Sequence, residues 1–387
     1  MQINKFYLIN SFLFIMNPFI TTLLSVFFGL MIKQQSIVKI IIINIAAFYG
    51  LLNTTKIPAS DLIAYHYYFM KAGQLSFFEF LNLFKAEYLY YSFTYISHYI
   101  FFGSWELFIF TTTFISFYLI FLSVELILKK INITSNFDRI IAILIVATFY
   151  LLFALSGHLL RNFIAASIIL YFVTNYFFYN NNKWIYFVSA FFIHSSSFIF
   201  IASYLIPTEI SFKYLYQIIF KFLMISFILY LMMQLYGVLL FKDLYIYNRI
   251  SNFNIEIISI DMNTILWAIG VTVGFLFYNT FINTQENYQN FLRYIMLTSI
   301  VIILGFLVPD SVVQQRMFFY LYFLIIPIYL ILLIKPNKIF RNLNVFVLSI
   351  FTIYFIDNYF NGVWSYSNGS DILTHTIFSY FILNLGV

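Results

Sequence analysis

Apolar runs of about 20 residues, separated by short polar stretches, recur from one end of the chain to the other. A helix of about 20 apolar residues is long enough to cross a bilayer. The runs are continuously apolar rather than alternating, which argues against a transmembrane β-barrel. We therefore predict an all-α, polytopic integral membrane protein, with a single transmembrane domain over 1–387 and about 11–13 transmembrane helices.

The predicted spans differ in how regular they are. The first has a proline, Pro18, in its middle and is predicted to be kinked there. Two shorter apolar pieces, 88–102 and 372–386, are predicted to be half-helices or interfacial helices. The candidate spans are 6–32, 37–55, 105–128, 139–156, 160–179, 184–206, 213–240, 262–282, 291–309, 316–334 and 343–360.

Lysine and arginine in the short loops predict the orientation of the chain, because cytoplasmic loops carry an excess of these residues. The loops assigned to the cytoplasm on this basis are 33–39, 129–139, 335–341 and the loop that ends at Lys183. The stretch 56–104 then lies on the opposite side, provided that 88–102 does not cross. We predict that 56–104 is a periplasmic insert of interfacial helices within the transmembrane domain.

The number of candidate spans between Lys183 and Lys335 conflicts with this orientation. If every candidate between Lys183 and Lys335 crosses once, the two lysines fall on opposite sides of the membrane. A re-entrant, broken or double segment between 184 and 290 would remove the conflict, and 184–206 is the best candidate. His194 and three serines interrupt its middle, and irregular backbone at this depth is tolerated only where protein or a water-filled cavity lines it.

Composition agrees with the membrane assignment and excludes several classes of site. Only 9% of the residues are charged, against about 25% in soluble proteins. The net charge of +6 is attributed to the loops and not to nucleic-acid binding. The chain has no cysteine, and its five histidines include no close pair. We therefore predict no disulfide, no metal site and no cofactor.

Two arginines each follow a polar stretch and begin an apolar helix. In "ALSGHLLRNFIAASIILYF" (154–172) the arginine is Arg161, with His158 three residues before it. In "VPDSVVQQRMFFYLYF" (308–323) it is Arg316. Both are predicted at the same membrane face, where two guanidinium groups could hold a diphosphate. The alternative is that Arg161 snorkels to lipid headgroups.

Other ionisable residues are candidates for acid–base chemistry. His194 lies about ten residues inside a predicted span and could act as a general base; it could also only hydrogen-bond a neighbouring helix. In the insert, Asp61 and Tyr65 share a helix face, as do Glu87 and Tyr91. The alternative is that these belong to plain interfacial helices.

The order of these features resembles the EpsG-like, Wzy-type polysaccharide polymerases. These are bacterial inner-membrane proteins that join lipid-linked oligosaccharide repeats into O-antigen, capsule or exopolysaccharide. The chain departs from the family pattern where Tyr88 replaces a proline and Asn162 replaces a glutamine. The matching residues, in chain order, are Asp61 and Tyr65, Glu87-Tyr88 with Tyr90-Tyr91, Arg161-Asn162 with Ala165, His194 with Ser196, and Arg316.

The resemblance implies a metal-independent glycosyl transfer at the periplasmic face of the inner membrane. It implies an undecaprenyl-diphosphate-linked oligosaccharide as substrate, and membrane lipid and a chain-length regulator protein as partners, with no nucleic acid. The diphosphate-binding residues are expected to be Arg161, Arg316 and His158. The acceptor or glycan-binding residues are expected to be Tyr65, Tyr91, Asn162 and Ser196. The candidate bases, in order of preference, are His194, Asp61 and Glu87.

Three other functions compete with this interpretation. A lipid-linked oligosaccharide flippase would also carry arginines along a diphosphate path, but it predicts charges on both membrane faces and two similar halves. A ligase that transfers finished glycan to another acceptor has nearly the same chemistry. A membrane acyltransferase could also use an intramembrane histidine. Because the chain has no Asp-x-Asp pair, a metal-dependent transferase that uses nucleotide sugars is disfavoured.

Overall fold

The computed structural model describes residues 2–32, 36–57, 61–200, 338–361 and 375–382, with isolated helical positions between 290 and 323. The predicted spans 213–240 and 262–282 lie outside the described residues, as do most of 291–309 and 316–334. The described helices are α1 (Gln2–Met16), α2 (Pro18–Met31), α3 (Ser36–Thr54), α4 (Asp61–Ala72), α5 (Phe77–Leu81), α6 (Tyr88–Ile100), α7 (Trp105–Lys130), α8 (Asn136–Ala147), α9 (Tyr150–His158), α10 (Leu160–Tyr179), α11 (Trp184–Ile193), α12 (Lys338–Asn361) and α13 (Ser379–Ile382).

Four of these helices are long and apolar enough to cross a membrane: α3, α7, α10 and the part of α12 from Asn342 to Asn361. The pair α8 and α9 would make a fifth span if its two halves act together. The prediction of an all-helical, polytopic membrane protein is therefore confirmed. The total of about 11–13 spans stays a prediction, because it depends partly on segments outside the described residues.

The predicted span 139–156 corresponds to two helices, α8 and α9, which together are apolar enough for one span. The structure bends it by 51° between α8 and α9. Thr148 lies at the bend, and its hydroxyl donates to the carbonyl oxygen of Leu144 at 2.9 Å. The next amide, from Phe149, bonds three residues back, to Val146 at 3.3 Å. Such a bond often accompanies a helix bend, and no proline or glycine lies at this position to signal one.

Two predicted breaks are confirmed. Pro18 is the first residue of α2, and the Asn17 side chain before it accepts from the amide of Ile20 at 2.9 Å. The segment 184–206 opens at His194, where α11 ends and the backbone becomes extended before a 3₁₀ turn, Ser195–Phe198. The backbone is thus irregular at the histidine that the sequence singled out.

The stretch 56–104 contains α4, α5 and α6. The longest of them, α6, has 13 residues and is about 20 Å long, shorter than the roughly 30 Å hydrocarbon core of a bilayer. This length agrees with a piece that does not cross the membrane. The placement of 56–104 in the periplasm remains a prediction.

Buried polar contacts join the helices that carry the site. The Asn53 amide nitrogen, near the end of α3, donates to the Thr113 hydroxyl at 3.1 Å and to the Ser156 hydroxyl at 2.7 Å. These bonds hold α3, α7 and α9 together at the level where α9 ends. Since α10 begins directly after α9, the same bonds help to fix the first turn of α10.

A buried ion pair joins α7 to α8. The Arg139 side chain, 1% exposed, bonds both carboxylate oxygens of Glu125, which is 2% exposed. Lys129 lies 3.1 Å from the same carboxylate. The sequence placed Arg139 in the predicted cytoplasmic loop 129–139. In the structure it is buried in the first turn of α8.

Replacing Arg139 with leucine is expected to lower the free energy of unfolding by about 3–5 kcal/mol, because Glu125 then stays buried with its main partner gone. The double variant Arg139→Leu, Glu125→Leu should recover most of that loss, because it leaves neither charge unpaired. Chemical unfolding in detergent measures both effects. A single variant as stable as the wild type would contradict the prediction.

Candidate functional site

Glu87 occupies an unusual backbone conformation at the N-terminus of α6. Its φ of 64° and ψ of 34° lie in the left-handed region, which costs a residue with a side chain on the order of 1–3 kcal/mol. The Glu87 carbonyl oxygen accepts from the amides of Tyr90 and Tyr91 at 3.0 and 3.3 Å. Strain of this kind persists where surrounding contacts impose it, and the contacts of the Glu87 side chain do so.

The Glu87 carboxylate joins two other segments of the chain. One oxygen, Oε2, is ion-paired with Nη1 of Arg161 in the first turn of α10. The other, Oε1, is hydrogen-bonded to Nδ1 of His194, where α11 ends, and lies 3.4 Å from the Ser195 amide nitrogen. Three residues far apart in sequence therefore form one cluster, with the carboxylate in the middle.

Tyrosines of the insert surround the Arg161 guanidinium. Nη1 donates to the Tyr91 hydroxyl at 3.0 Å, and Nε donates to the Tyr65 hydroxyl at 3.4 Å. The rings of Tyr65, Tyr90 and Tyr91 have their centroids 5.3, 5.9 and 5.7 Å from the guanidinium carbon, within range of cation–π attraction. Tyr90 was not among the predicted glycan-binding residues; its position next to Tyr91 was the available signal.

Electrostatics favour Glu87 as an orienting group rather than a base. Burial alone would raise the pKa of its carboxyl group, but the hydrogen bond and charge of His194 and the charge of Arg161 outweigh burial and lower it. A carboxylate that already holds two partners is a weak proton acceptor. If it accepts the Nδ1 proton of a neutral His194, then Nε2 carries the lone pair of the ring.

Two more predicted residues lie at or near the cluster. Asp61 is the first residue of α4, one turn before Tyr65, and its charge acts on the Tyr65 hydroxyl. Burial is the main reason that the pKa of Tyr65 is raised, so this hydroxyl stays protonated. Ser196 shares a hydrogen bond of 2.7 Å with the Tyr320 hydroxyl. Arg316 lies outside the described residues.

His158 and Asn162 lie on either side of the junction between α9 and α10. His158 is the last residue of α9, and Asn162 is the third residue of α10. Both side chains are buried, and Asn162 is 6% exposed. Neither polar atom of the Asn162 amide has a hydrogen-bond partner in the described part of the chain.

Sequence reasoning missed a buried cation at the same junction. Lys56, 5% exposed, donates from Nζ to the carbonyl oxygen of Ala154 in α9 at 3.0 Å. Gly157 leaves room for it, because a Cβ at that glycine would lie 2.6 Å from Nζ. Burial holds the pKa of Lys56 well below its usual value. The signal was the polar run from Asn53 to Lys56 at the end of an apolar span.

One of three comparisons with known proteins finds a match, and it spans the candidate site. A family model, described as the EpsG family, matches residues 36–380. The matched range contains every residue of the cluster. Neither the search of curated proteins nor the search of solved structures finds a match.

Proposed function

Since the chain belongs to the EpsG family, which is linked to exopolysaccharide biosynthesis, we propose that it is a membrane polymerase of lipid-linked glycans. It joins undecaprenyl-diphosphate-linked oligosaccharide repeats into a surface polysaccharide. The observation that carries the proposal is the Glu87 carboxylate, which contacts both Arg161 and His194. Glycosyl transfer releases a proton from the attacking hydroxyl and an anionic lipid diphosphate. His194 can accept the proton, and Arg161 can stabilise the anion.

The reaction forms one bond and breaks one. An acceptor hydroxyl of a new repeat attacks the anomeric carbon of the growing chain, and the bond from that carbon to the lipid diphosphate breaks. The hydroxyl proton goes to a base, and the leaving lipid diphosphate carries away the bonding electrons. The energy comes from the bond between sugar and diphosphate, so no nucleotide takes part.

In this proposal, His194 takes the proton at Nε2. Glu87 holds the imidazole ring through Nδ1 and stabilises the positive charge that the ring acquires, the role of the carboxylate in a catalytic triad. Asp61 stands second as a candidate base, because it lies near Tyr65 at the edge of the cluster. Glu87 takes the orienting role, since its carboxylate is already occupied by His194 and Arg161.

Arg161 stabilises the charge that develops on the leaving diphosphate. Its Nε and Nη1 are occupied by Tyr65, Tyr91 and Glu87, whereas Nη2 makes no hydrogen bond within the described residues. One terminal nitrogen is therefore available to a phosphate oxygen. Arg316 is proposed as a second diphosphate ligand on the same membrane face.

The chain is a multi-pass membrane protein, and we place it in the bacterial inner membrane with its active site toward the periplasm. The lipid part of the substrate then stays in the bilayer and the glycan outside. Membrane lipid and a chain-length regulator protein are the partners that this reaction would involve. Tyr65, Tyr91 and Ser196 are proposed to contact the glycan.

Deleting the gene should leave surface glycan of a single repeat, because export and attachment continue while repeats are no longer joined. Electrophoresis of the extracted glycan measures chain length, and the wild-type gene on a plasmid should restore long chains. Loss of all attached glycan would point to a ligase, and lipid-linked repeats trapped inside the cell would point to a flippase. Either outcome would overturn the polymerase.

A further inference from the structure

The first turn of α10 has hydrogen-bond donors without acceptors inside the helix. The first amide groups of any α-helix have no carbonyl partner within it. Leu159, the residue before α10, has an apolar side chain that cannot accept from them, and no side-chain cap is present. The turn is also buried: Leu160 is 1% exposed. A helix of 20 residues thus presents its positive end, uncapped, next to Arg161.

The Asn162 side chain is a second, independent sign of a ligand at this place. It is buried, and both its amide nitrogen and its amide oxygen lack a partner within the described residues. Side chains on a helix lean toward its N-terminus, so a residue in the first turn directs its amide toward the uncapped end. Buried amides are nearly always hydrogen-bonded, and a bound ligand would satisfy this one.

Arg161 alone leaves much of a diphosphate without donors. Glu87 already offsets its positive charge, and a single nitrogen, Nη2, remains for a phosphate oxygen. A diphosphate needs more donors than this. The free amides of the first turn and the Asn162 amide nitrogen lie next to Arg161 in sequence and supply them, as helix N-termini do at many phosphate sites.

We propose that the N-terminus of α10, with the Asn162 side chain, binds a phosphate group of the lipid-diphosphate substrate. This deepens the proposed function, on which it rests, and moves Asn162 from the glycan to the diphosphate. One phosphate contacts the backbone amides and the Asn162 amide nitrogen. The other reaches Nη2 of Arg161. The ligand is a diphosphate joined to a polyprenyl chain.

Binding by the purified protein in nanodiscs tests the assignment of Asn162, with geranylgeranyl diphosphate as the probe. Asn162→Leu should weaken binding about tenfold or more, the effect of losing one hydrogen bond to a charged group. The unfolding temperature should hold or rise, because a buried amide without partners is removed. Asn162→Gln, which keeps the amide, should retain most of the affinity.

The matched control is Asn175→Leu. Asn175 lies in the last turns of α10, and its side-chain amide donates to the Tyr171 carbonyl oxygen. This variant should bind the probe as the wild type does.

Capping α10 tests the backbone amides. Leu159→Asn places an acceptor at the helix N-terminus, which should weaken probe binding, since the side chain competes for the same amides. The gained cap and the lost packing of Leu159 against the core act in opposite directions on the unfolding temperature, so binding is compared at a temperature where both proteins are folded. Lys183→Asn is the control, because α11 also lacks a side-chain cap. It should stabilise the protein without a change in binding.

The site would be refuted if Asn162→Leu bound geranylgeranyl diphosphate as tightly as the wild type, or if its stability and affinity fell together. It would also be refuted if Leu159→Asn bound the probe unchanged. Inorganic diphosphate that binds as tightly as the prenyl compound would make the ligand a free phosphate compound instead. The proposed polymerase is judged separately, by glycan length in cells. Long chains made by a protein with no dependence on Asn162 would refute this site and leave the polymerase standing.

Discussion

Replacing His194 with glutamine is expected to lower the rate of polymerisation by about 10²- to 10⁴-fold, because glutamine cannot take the proton of the attacking hydroxyl. The lipid-linked substrate should still bind. Glutamine can also keep a hydrogen bond to Glu87, so the cluster should stay assembled. Rates of chain extension with purified protein, together with binding of the lipid-linked repeat, separate turnover from affinity.

The matched control is His98→Gln. His98 lies in the last turn of α6, eleven residues after Glu87 and about 16 Å from it along the helix. It packs on Gly73 and Phe69, away from Arg161. Its replacement should leave the rate within about twofold of the wild type. If His194→Gln polymerises normally while Asp61→Asn does not, the base is Asp61 and His194 is a packing residue.

Glu87→Gln, alone and added to His194→Gln, separates an orienting carboxylate from a base. As an orienting group, Glu87 acts only through His194, so Glu87→Gln should lose up to about 10⁴-fold, as the amide variant of a catalytic triad does, and adding it to His194→Gln should lower the rate little further. As a base, Glu87 would act independently of His194, and the double variant should be far slower than His194→Gln alone. The lowered pKa of Glu87 and its two partners favour the orienting role.

Sequence patterns predicted much of the fold because membrane spans depend on length and apolarity. The helix predicted at 160–179 is α10, Leu160–Tyr179, and the opening of 184–206 at His194 followed from the polar residues there. The bend between α8 and α9 could not be predicted in this way, because no proline or glycine marks it and a single threonine among apolar residues leaves mean hydropathy almost unchanged. The sequence singles out unusual residues, but it does not show which backbone group a side chain will bond.

The candidate site was predictable as a set of residues but not as an arrangement. Arg161 and His194 were each costly residues in or beside apolar spans, and cost is visible in sequence. Glu87 was singled out by its spacing to Tyr91 and by the family resemblance. The sequence does not show that the Glu87 carboxylate contacts both Arg161 and His194. These contacts depend on how α6 and the end of α11 pack against α10, and they join residues 74 and 107 positions apart. Lys56 was missed because its burial depends on the room left by Gly157, a contact across 101 positions.

Arg161→Ala is expected to abolish polymerisation for two reasons that can be separated. The first is that Glu87, whose side chain is 9% exposed, loses a charged partner, so the carboxylate no longer holds His194 in place. The second is that the leaving diphosphate loses a donor, which for one such group costs on the order of 10²- to 10³-fold in rate. Arg161→Lys should rescue little, because one ammonium cannot replace the contacts that Nε and Nη1 make with Tyr65, Tyr91 and Glu87.

The double variant Arg161→Ala, Glu87→Gln decides between these reasons. If Arg161 serves only to neutralise Glu87, removing both charges should bring the rate back to that of Glu87→Gln alone. If Arg161 also contacts the diphosphate, the double variant should be slower than Glu87→Gln and should bind geranylgeranyl diphosphate more weakly than Glu87→Gln does. Lys130→Ala, which removes a cation that packs on the Tyr179 ring, is the matched control for the single variant Arg161→Ala, because each removes one positive charge, and it should polymerise normally. We expect the slower double variant, because Nη2 of Arg161 has no partner within the described residues while its other contacts go to the chain itself.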